Sequence, residues 1–472
     1  MPMQISMEVK DGVQQYPSER GWFFGCQCEL TDNTSRSDRE NSMGEILNIW
    51  PSLRHRNFRL FLAGQSISLI GTWISTTAIG WLVYRLTRSA FLLGSVGFAT
   101  QIPSFLLAPF IGVSIDRLDR RKVLVCTQGA LMVQSLLLAY IALSRQPTVL
   151  WILWVSLFQG VVTAFDFPAR HSFIVEMLDD RRDMGNAIAI NSTMFNATRL
   201  IGSSLAGLLI VATNEGWCFF LDGISYILVI ASLLAIRPNH RVYPAASPSV
   251  WDALREGWSF VSGKFSVRTI LLLVTVAGLF GIPCSVVIPI FAANVLHGNA
   301  QTLGCLMGAM GTGSLISAVF LTLHKNAQGL AKFIPIGSAI FGAGLVGFGL
   351  SRSFWISMGT MVAVGFGMMQ CISVSNTLIQ ILAGDERRGR IMCFFTMAYV
   401  GMPPFGCLLT GSLAHEWGAP VAVVLLGVVM GAGAVWFACQ LPAIGRETRP
   451  ICQRMGVIPV ETFSIIEESE GT

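Results

Sequence analysis

The residues of this chain that could do chemistry are few and far apart, and two of them stand out by position. Arg199 lies in an apolar run that starts at Asn186, more than about 15 Å of helix from either end at ~1.5 Å per residue. A guanidinium is essentially always charged and keeps five donors, so at that depth it needs a partner, water or an anionic ligand group. Two readings follow: Arg199 faces a hydrated cavity and attracts anionic or polar substrate groups, or it is a structural tie to Gln159 or to a backbone carbonyl. Asp222, about a turn and a half into the run from Trp217, is the carboxylate that could titrate, and it is the candidate proton site. Gln65, Gln101, Asn191, Asn196, Gln370 and Asn376 are further polar residues inside apolar runs, each able to line a pathway or to hydrogen-bond a neighbouring helix. From Thr269 to Leu382 there is no Asp or Glu.

Catalytic constellations are missing. The His residues at 55, 171, 240, 297, 324 and 415 are scattered without metal-ligand spacing. Cys26 and Cys28 are close, but two ligands with no His or further Cys beside them do not make a zinc site. Most of the other Cys residues sit singly in apolar runs and read as small hydrophobes. Gly257 to Gly263-Lys264-Phe265 has neither the spacing nor the Ser or Thr of a phosphate-binding loop. No cofactor, no metal and no enzymatic activity are expected.

Composition says where such a chain can live. Hydrophobic residues make up 53% and charged residues 12%, and the 47 Gly bring the apolar share to about 63%, against roughly 45–50% in ordinary globular chains. A water-facing shell cannot be built from so few charges, and 30 Phe and 12 Trp are the reverse of a disordered composition. The chain reads as a polytopic, all-α membrane protein. Twelve stretches are long and apolar enough to span a bilayer, starting near Phe58, Phe91, Val123, Val149, Asn186, Trp217, Thr269, Thr302, Phe333, Phe354, Ile391 and Gly418. The loops after the even-numbered spans hold 17 Lys and Arg and those after the odd-numbered spans 4. Short loops rich in Lys and Arg stay on the cytoplasmic side, so both termini are expected inside. The net charge of +5 is then topological, and no nucleic-acid partner is expected.

The expected organisation is a polar cytoplasmic tail over 1–48, a six-helix half over 49–236, a cytoplasmic linker over 237–268, a second six-helix half over 269–440 and a cytoplasmic tail over 441–472. Trp251, Leu254, Trp258 and Val261 recur near helical spacing in the linker, which predicts a short amphipathic helix. The halves echo each other: 173–182 lines up with 378–387 at an offset of 205, and Gly202 and Gly207 match Gly406 and Gly411 at an offset of 204. Two parallel six-span repeats with a site between them are the major facilitator architecture.

Particular motifs sharpen this. Gly112-Val113-Ser114-Ile115-Asp116-Arg117-Leu118-Asp119-Arg120-Arg121-Lys122 resembles the major facilitator signature between spans 2 and 3. Gly71-Thr72-Trp73, Gly80 to Thr87, Phe165 to Arg170 and Asp385 to Arg390 together resemble the branch of enterobactin exporters and transmembrane secretion effectors, drug and siderophore efflux proteins of bacteria. The resemblance runs from about Arg54 to Pro442. It implies a secondary transporter of the bacterial inner membrane that exports a small amphipathic or siderophore-like compound by alternating access, the other readings being an uptake carrier of the same fold or a transport-inactive sensor or scaffold. Proton is the candidate coupling ion and a monomer the expected state. It also implies an inner latch built from Gly112, Asp116, Arg117, Arg120, Arg121, Asp166, Arg170, Arg388 and Arg390, in which Arg120 pairs with Asp166. Sixth helices of this architecture pack away from the cavity, so Asp222 is expected to be solvated at the interface. Two departures stand out: Ser156 occupies the place of an Arg that many drug:proton antiporters carry before Gln159-Gly160, and Gly202-Ser203-Ser204-Leu205-Ala206-Gly207 replaces their Gly-Pro-x-x-Gly-Gly. The resemblance therefore does not imply proton antiport by the usual pair.

Overall fold

A computed structural model describes residues 51–115, 118–144, 146–178, 183–236, 250–323 and 330–454. All of them fall in the unit Trp50–Thr472. The tail over 1–48, the first part of the linker and residues 455–472 lie outside the described residues.

Among the described residues twelve helices are long and apolar enough to cross a membrane. They are α1 (Arg56–Thr87), α2 (Ala90–Leu107), α3 (Arg120–Leu143), α4 (Val149–Ile174), α5 (Met184–Ala212), α6 (Glu215–Ala235), α7 (Phe265–Val295), α8 (Ala300–Leu323), α9 (Leu330–Leu350), α10 (Phe354–Ala383), α11 (Ile391–Trp417) and α12 (Ala419–Glu447). With no water in the hydrocarbon region, a helix satisfies every backbone polar group within its own segment, which is why the apolar runs fold this way. Local chemistry sets the ends. Asp119 caps α3 by accepting from the Arg121 and Lys122 backbone N–H groups at 3.1 and 3.3 Å, and Asn214 caps α6 through the Trp217 N–H at 3.3 Å. Arg88, at φ 54°, turns the chain out of α1 while its N–H still reaches the Tyr84 carbonyl at 2.8 Å.

Helices α1 to α6 pack on one another and α7 to α12 likewise, with α5 against α8 and α2 against α11 joining the halves. The helix Val250–Gly263 precedes α7; Val261 is buried, whereas Trp258 is exposed and lies 6.3 Å from the Phe394 ring, centroid to centroid. At the far end of the second half Glu447 of α12 accepts from the N–H and hydroxyl of Ser266 at 2.8 and 2.7 Å. Helical backbone carries the chain without a break from Phe354 to Val400.

Glycines make the close crossings. A Cβ on Gly207 would sit 2.8 Å from the Ala300 carbonyl and 3.1 Å from the Gly304 Cα, and one on Gly411 would sit 2.8 Å from the Ala90 carbonyl and 3.0 Å from the Gly94 Cα. The two repeat-matched glycines thus do the same job at the two joins, α5 on α8 and α11 on α2, where small residues let backbones approach. One helix is irregular: α7 passes through a π segment, Ala277–Gly281, and a 3-10 segment, Ile282–Val286. Pro283 and Pro289 explain the break, since each lacks an N–H and its ring crowds the preceding turn.

Candidate functional site

The middle of the seam between the halves is held by Arg199. Its side chain is 7% exposed. Its guanidinium donates to the Ser314 hydroxyl of α8 and its Cζ lies 5.7 Å from the centre of the Trp73 ring of α1. Its Nε is buried without a hydrogen-bond partner. Ser314 in turn reaches the Met310 and Gly365 carbonyls at 3.1 and 3.0 Å, so α1, α5, α8 and α10 all converge on one cation. Of the two readings open for Arg199, a tie to Gln159 is not what is seen: Gln159 is half-buried on α4, and the hydroxyl that answers the guanidinium comes from the opposite half.

Nearer one end, the Tyr84 hydroxyl donates to Asn294 Oδ1 at 2.5 Å, from α1 to α7. Gln101 of α2 donates to the Gly97 carbonyl at 3.3 Å and to Cys407 Sγ of α11 at 3.5 Å. Phe98 and Phe105 both meet Phe405 edge-on, at 6.3 and 5.4 Å. These contacts, with the Gly207 and Gly411 crossings, bring the halves together at the end that carries the α1–α2 and α5–α6 turns.

The first half has a polar interior of its own. Asp222, 2% exposed, lies between α1, α3 and α6. Its Oδ2 accepts from Ser135 at 2.5 Å, whereas Oδ1 accepts no hydrogen bond. The expectation of interface solvation is corrected: α6 presents Asp222 to the interior because Gly71 of α1 leaves room for it. Tyr226, one turn on and 4% exposed, meets the Thr72 hydroxyl at 3.4 Å.

The latch expectations divide. Arg120 donates to Glu176 at 2.6 Å, the acid ten residues beyond the expected one. Asp166 is instead buried deeper in α4, accepting from Arg170, from Thr127 at 2.8 Å and from Gln128 at 2.7 Å. A helix carries Glu176 to the rim where Arg120 starts α3, whereas Asp166 sits nearly three turns inside. Arg121 donates to the Leu233 and Leu234 carbonyls at 2.8 and 2.5 Å, capping the orphan carbonyls that end α6. Gly112 falls in the last turn of the helix Ala90–Ile115. Asp116 and Arg117, and the side chains of Arg388 and Arg390, lie outside the described residues.

Of the remaining polar residues, Gln65 is buried in α1 and Asn191 half-buried in α5. Gln370 accepts from Ser317 at 3.0 Å, one turn along α8 from Ser314. Asn196 donates to the Ser192 carbonyl at 2.9 Å and Asn376 accepts from Gln380 at 2.7 Å, both within their own helices. Sequence reasoning missed Trp73, Ser135, Tyr226, Ser314 and the break in α7. Pro283 and Pro289 between Gly278 and Gly298 were a readable signal for the last, because interrupted spans mark the working centre of transporters.

The family model described as transmembrane secretion effector matches residues 48–461. The chain belongs to that family. It is a major facilitator transporter and not an enzyme, a multi-pass bacterial membrane protein with twelve spans in two six-helix halves. The transporter is 21% identical over 372 residues to the staphyloferrin A transporter of Staphylococcus aureus, covering 78% of this chain and 92% of that one. It is 24% identical over 416 residues to the enterobactin exporter of Salmonella typhi, covering 87% and 97%. It is 21% identical over 378 residues to the macrolide efflux protein A of Streptococcus pyogenes, covering 79% and 93%. Among solved structures, a bacterial homologue of the human lysosomal transporter Spinster, inward-facing and unoccupied, has a TM-score of 0.59 at 14% identity, over 84% of this chain and 98% of that one. A POT family transporter in complex with a thioalcohol-conjugated peptide has a TM-score of 0.63 at 14% identity, over 82% and 96%. These likenesses show the fold.

Proposed function

We propose that the transporter exports a small amphipathic or siderophore-like compound across the inner membrane, as a monomer, by rocking of its two halves about a central site. The observation that carries this reading is the unmatched Arg199 at the middle of the seam. A desolvated cation whose hydrogen-bond partner among the described residues is a single hydroxyl is a ready receptor for an anionic or catecholate group, and lies between the two bodies that must move. Gln101, Gln159, Gln65, Asn191 and Gln370 line or support the pathway. The names of two relatives, an enterobactin exporter and a macrolide efflux protein, favour the outward direction.

The loop-charge asymmetry puts both termini in the cytoplasm, and the end where Tyr84 meets Asn294 then faces outward. In this conformation the halves meet at the outer side. Gly112, Asp116, Arg117, Arg388 and Arg390 form the inner latch that closes when the outer contacts part, beside Arg120 and Arg121, which Glu176 and the end of α6 hold at the rim, while Asp166 and Arg170 pair within α4.

Mass spectrometry of medium and cell extracts, with and without the gene, tests the export reading. The expected result is at least one small amphipathic compound enriched in the medium of the parent and retained by cells lacking the gene. Identical profiles, or the reverse distribution that an uptake carrier produces, would overturn it. A reporter fused after Leu143 should be extracytoplasmic and one fused near Pro244 cytoplasmic; both on one side would sink the orientation.

A further inference from the structure

The turn of α1 from Ile70 to Ser75 is wedged between two buried ionisable residues of the first half, Asp222 and Arg199. On one face is Asp222. A Cβ on Gly71 would lie 2.8 Å from Asp222 Oδ1, 2.8 Å from Ser225 Oγ and 3.1 Å from the Asp222 Cα, so the α1 backbone itself is the wall of the carboxyl site. Thr72 on the same turn reaches Tyr226. On the other face is α5. A Cβ on Gly202 would lie 2.6 Å from the Ile70 carbonyl and 2.7 Å from the Trp73 Cβ, and the Trp73 ring covers Arg199. One helical turn therefore touches the carboxyl with Gly71 and the guanidinium with Trp73.

The carboxyl site is built for a proton and for no larger ligand. Asp222 has Ser135 as donor to Oδ2, while the second oxygen is buried, unpartnered and walled by a glycine backbone. The groups facing it from the packed elements are neutral hydroxyls: Ser75 and Thr72 on α1, Ser135 on α3, Ser225 and Tyr226 on α6. Cys218 lies one turn earlier on α6, and Asp166 on α4 is paired with Arg170. Glu215 at the start of α6 is taken by Arg85 at 2.8 Å. A carboxylate there has no cation of its own, and a carboxylic acid fills the space with its own O–H.

We propose that Asp222 is a proton-binding site and that its occupancy is linked to Arg199 through the Gly71–Ser75 turn of α1. Loss of the proton, which breaks the O–H bond and passes H⁺ to water, leaves a charge at Oδ1 against the α1 backbone. The packing must then admit water or shift the turn, and because the turn is locked on Gly202, the shift reaches the stack of Trp73 on Arg199. Proton occupancy in one crossing thereby sets how Arg199 is presented at the seam, and by reciprocity an anion on Arg199 changes the proton affinity of Asp222. The role of Arg199 in recognition rests on the export reading above; the proton site does not.

The test uses the purified full chain in liposomes and proton alone as the probe. Infrared difference spectra on a pH step should show a protonated-carboxyl stretch that vanishes in Asp222→Asn. Ser135→Ala, which keeps the carboxyl and removes its donor, should move the frequency of that band, so the assignment stands even where Asp222→Asn fails to fold. Trp73→Leu leaves every charge in place, and should change the proton affinity read from the band midpoint by about fivefold or more. A band identical in wild type, Asp222→Asn and Ser135→Ala overturns the proton site. A midpoint unmoved in Trp73→Leu overturns the linkage. Either failure leaves the medium comparison, and with it the export reading, untouched.

Discussion

The two halves use the same crossings and fill them with different chemistry. Where α3 meets α4 in the first half, Thr127 and Gln128 hold the Asp166 carboxylate; where α9 meets α10 in the second, Ser338 donates to the neutral Cys371 thiol at 3.2 Å. Where α3 meets α6, Ser135 holds Asp222; where α9 meets α12, Gly342 meets Gly427 and Gly431, a Cβ on Gly342 lying 2.8 Å from the Gly427 carbonyl. Gly202 lets α5 approach Ile70 and Trp73 of α1, and Gly406 lets α11 approach Leu279 and Pro283 of α7. The shared frame is set by close packing. Among the described residues the buried charges, Asp166, Arg199, Glu215 and Asp222, all lie in the first half, while the second supplies hydroxyls and a broken helix at the matching places.

That comparison breaks most visibly at the α3–α4 crossing. Asp166→Ala strands Arg170, whose Nε is already without a partner, among Thr127 and Gln128. Removing one member of a buried pair costs roughly 3–5 kcal/mol. The matched Cys371→Ala should cost about 1 kcal/mol, since it removes one weak hydrogen bond and a small volume. Melting temperatures of the purified variants should separate them clearly, and equal losses would mean that the first-half charges carry no special burden.

The glycine joins should behave alike. Gly207→Leu and Gly411→Leu each force a side chain into an opposing backbone, at a cost of about 1–3 kcal/mol. Gly129, with nothing within 4 Å of its built Cβ, should tolerate Ala unchanged. If one of the two joins proved indifferent to Leu, their equivalence would fail.

Much of this frame was legible beforehand for a physical reason. Twelve spans follow from apolar length, and the matched Gly202, Gly207, Gly406 and Gly411 follow from the need of both repeats to cross helices at one depth. The site was harder to read. Arg199 announced itself because a cation in an apolar run must be answered, yet nothing near it in sequence pointed to Ser314, 115 residues away. For Asp222 the resemblance implies interface solvation, since sixth helices of this architecture pack away from the cavity, but depth along α6 says nothing of the face it occupies; Gly71, which makes room for it, lies on another helix. Arg120 found Glu176 rather than Asp166 because the ten residues between them are nearly three turns of helix, a displacement that motif position alone does not resolve.

The finest test of the comparison is at the polar contact that the halves share in the middle of the seam. Ser314 accepts from Arg199 and bonds the α8 and α10 backbone, so it is the second half's answer to the first half's charge. Ser314→Ala removes the acceptor but leaves the Trp73 ring over the guanidinium, and a hydrogen bond of this kind is worth about 1 kcal/mol net. The melting temperature should therefore fall only slightly, less than in either glycine variant. Arg199→Lys should keep a charge at the seam yet lose the planar stack on Trp73, so it should be more sensitive than wild type to loss of Ser314. Combining the two substitutions measures this: a double variant worse than the sum of the singles locates the seam's polarity in the Arg199–Ser314–Trp73 group. Strict additivity would mean that Ser314 serves α8 and α10 alone, and that the charge of the first half meets no specific answer in the second.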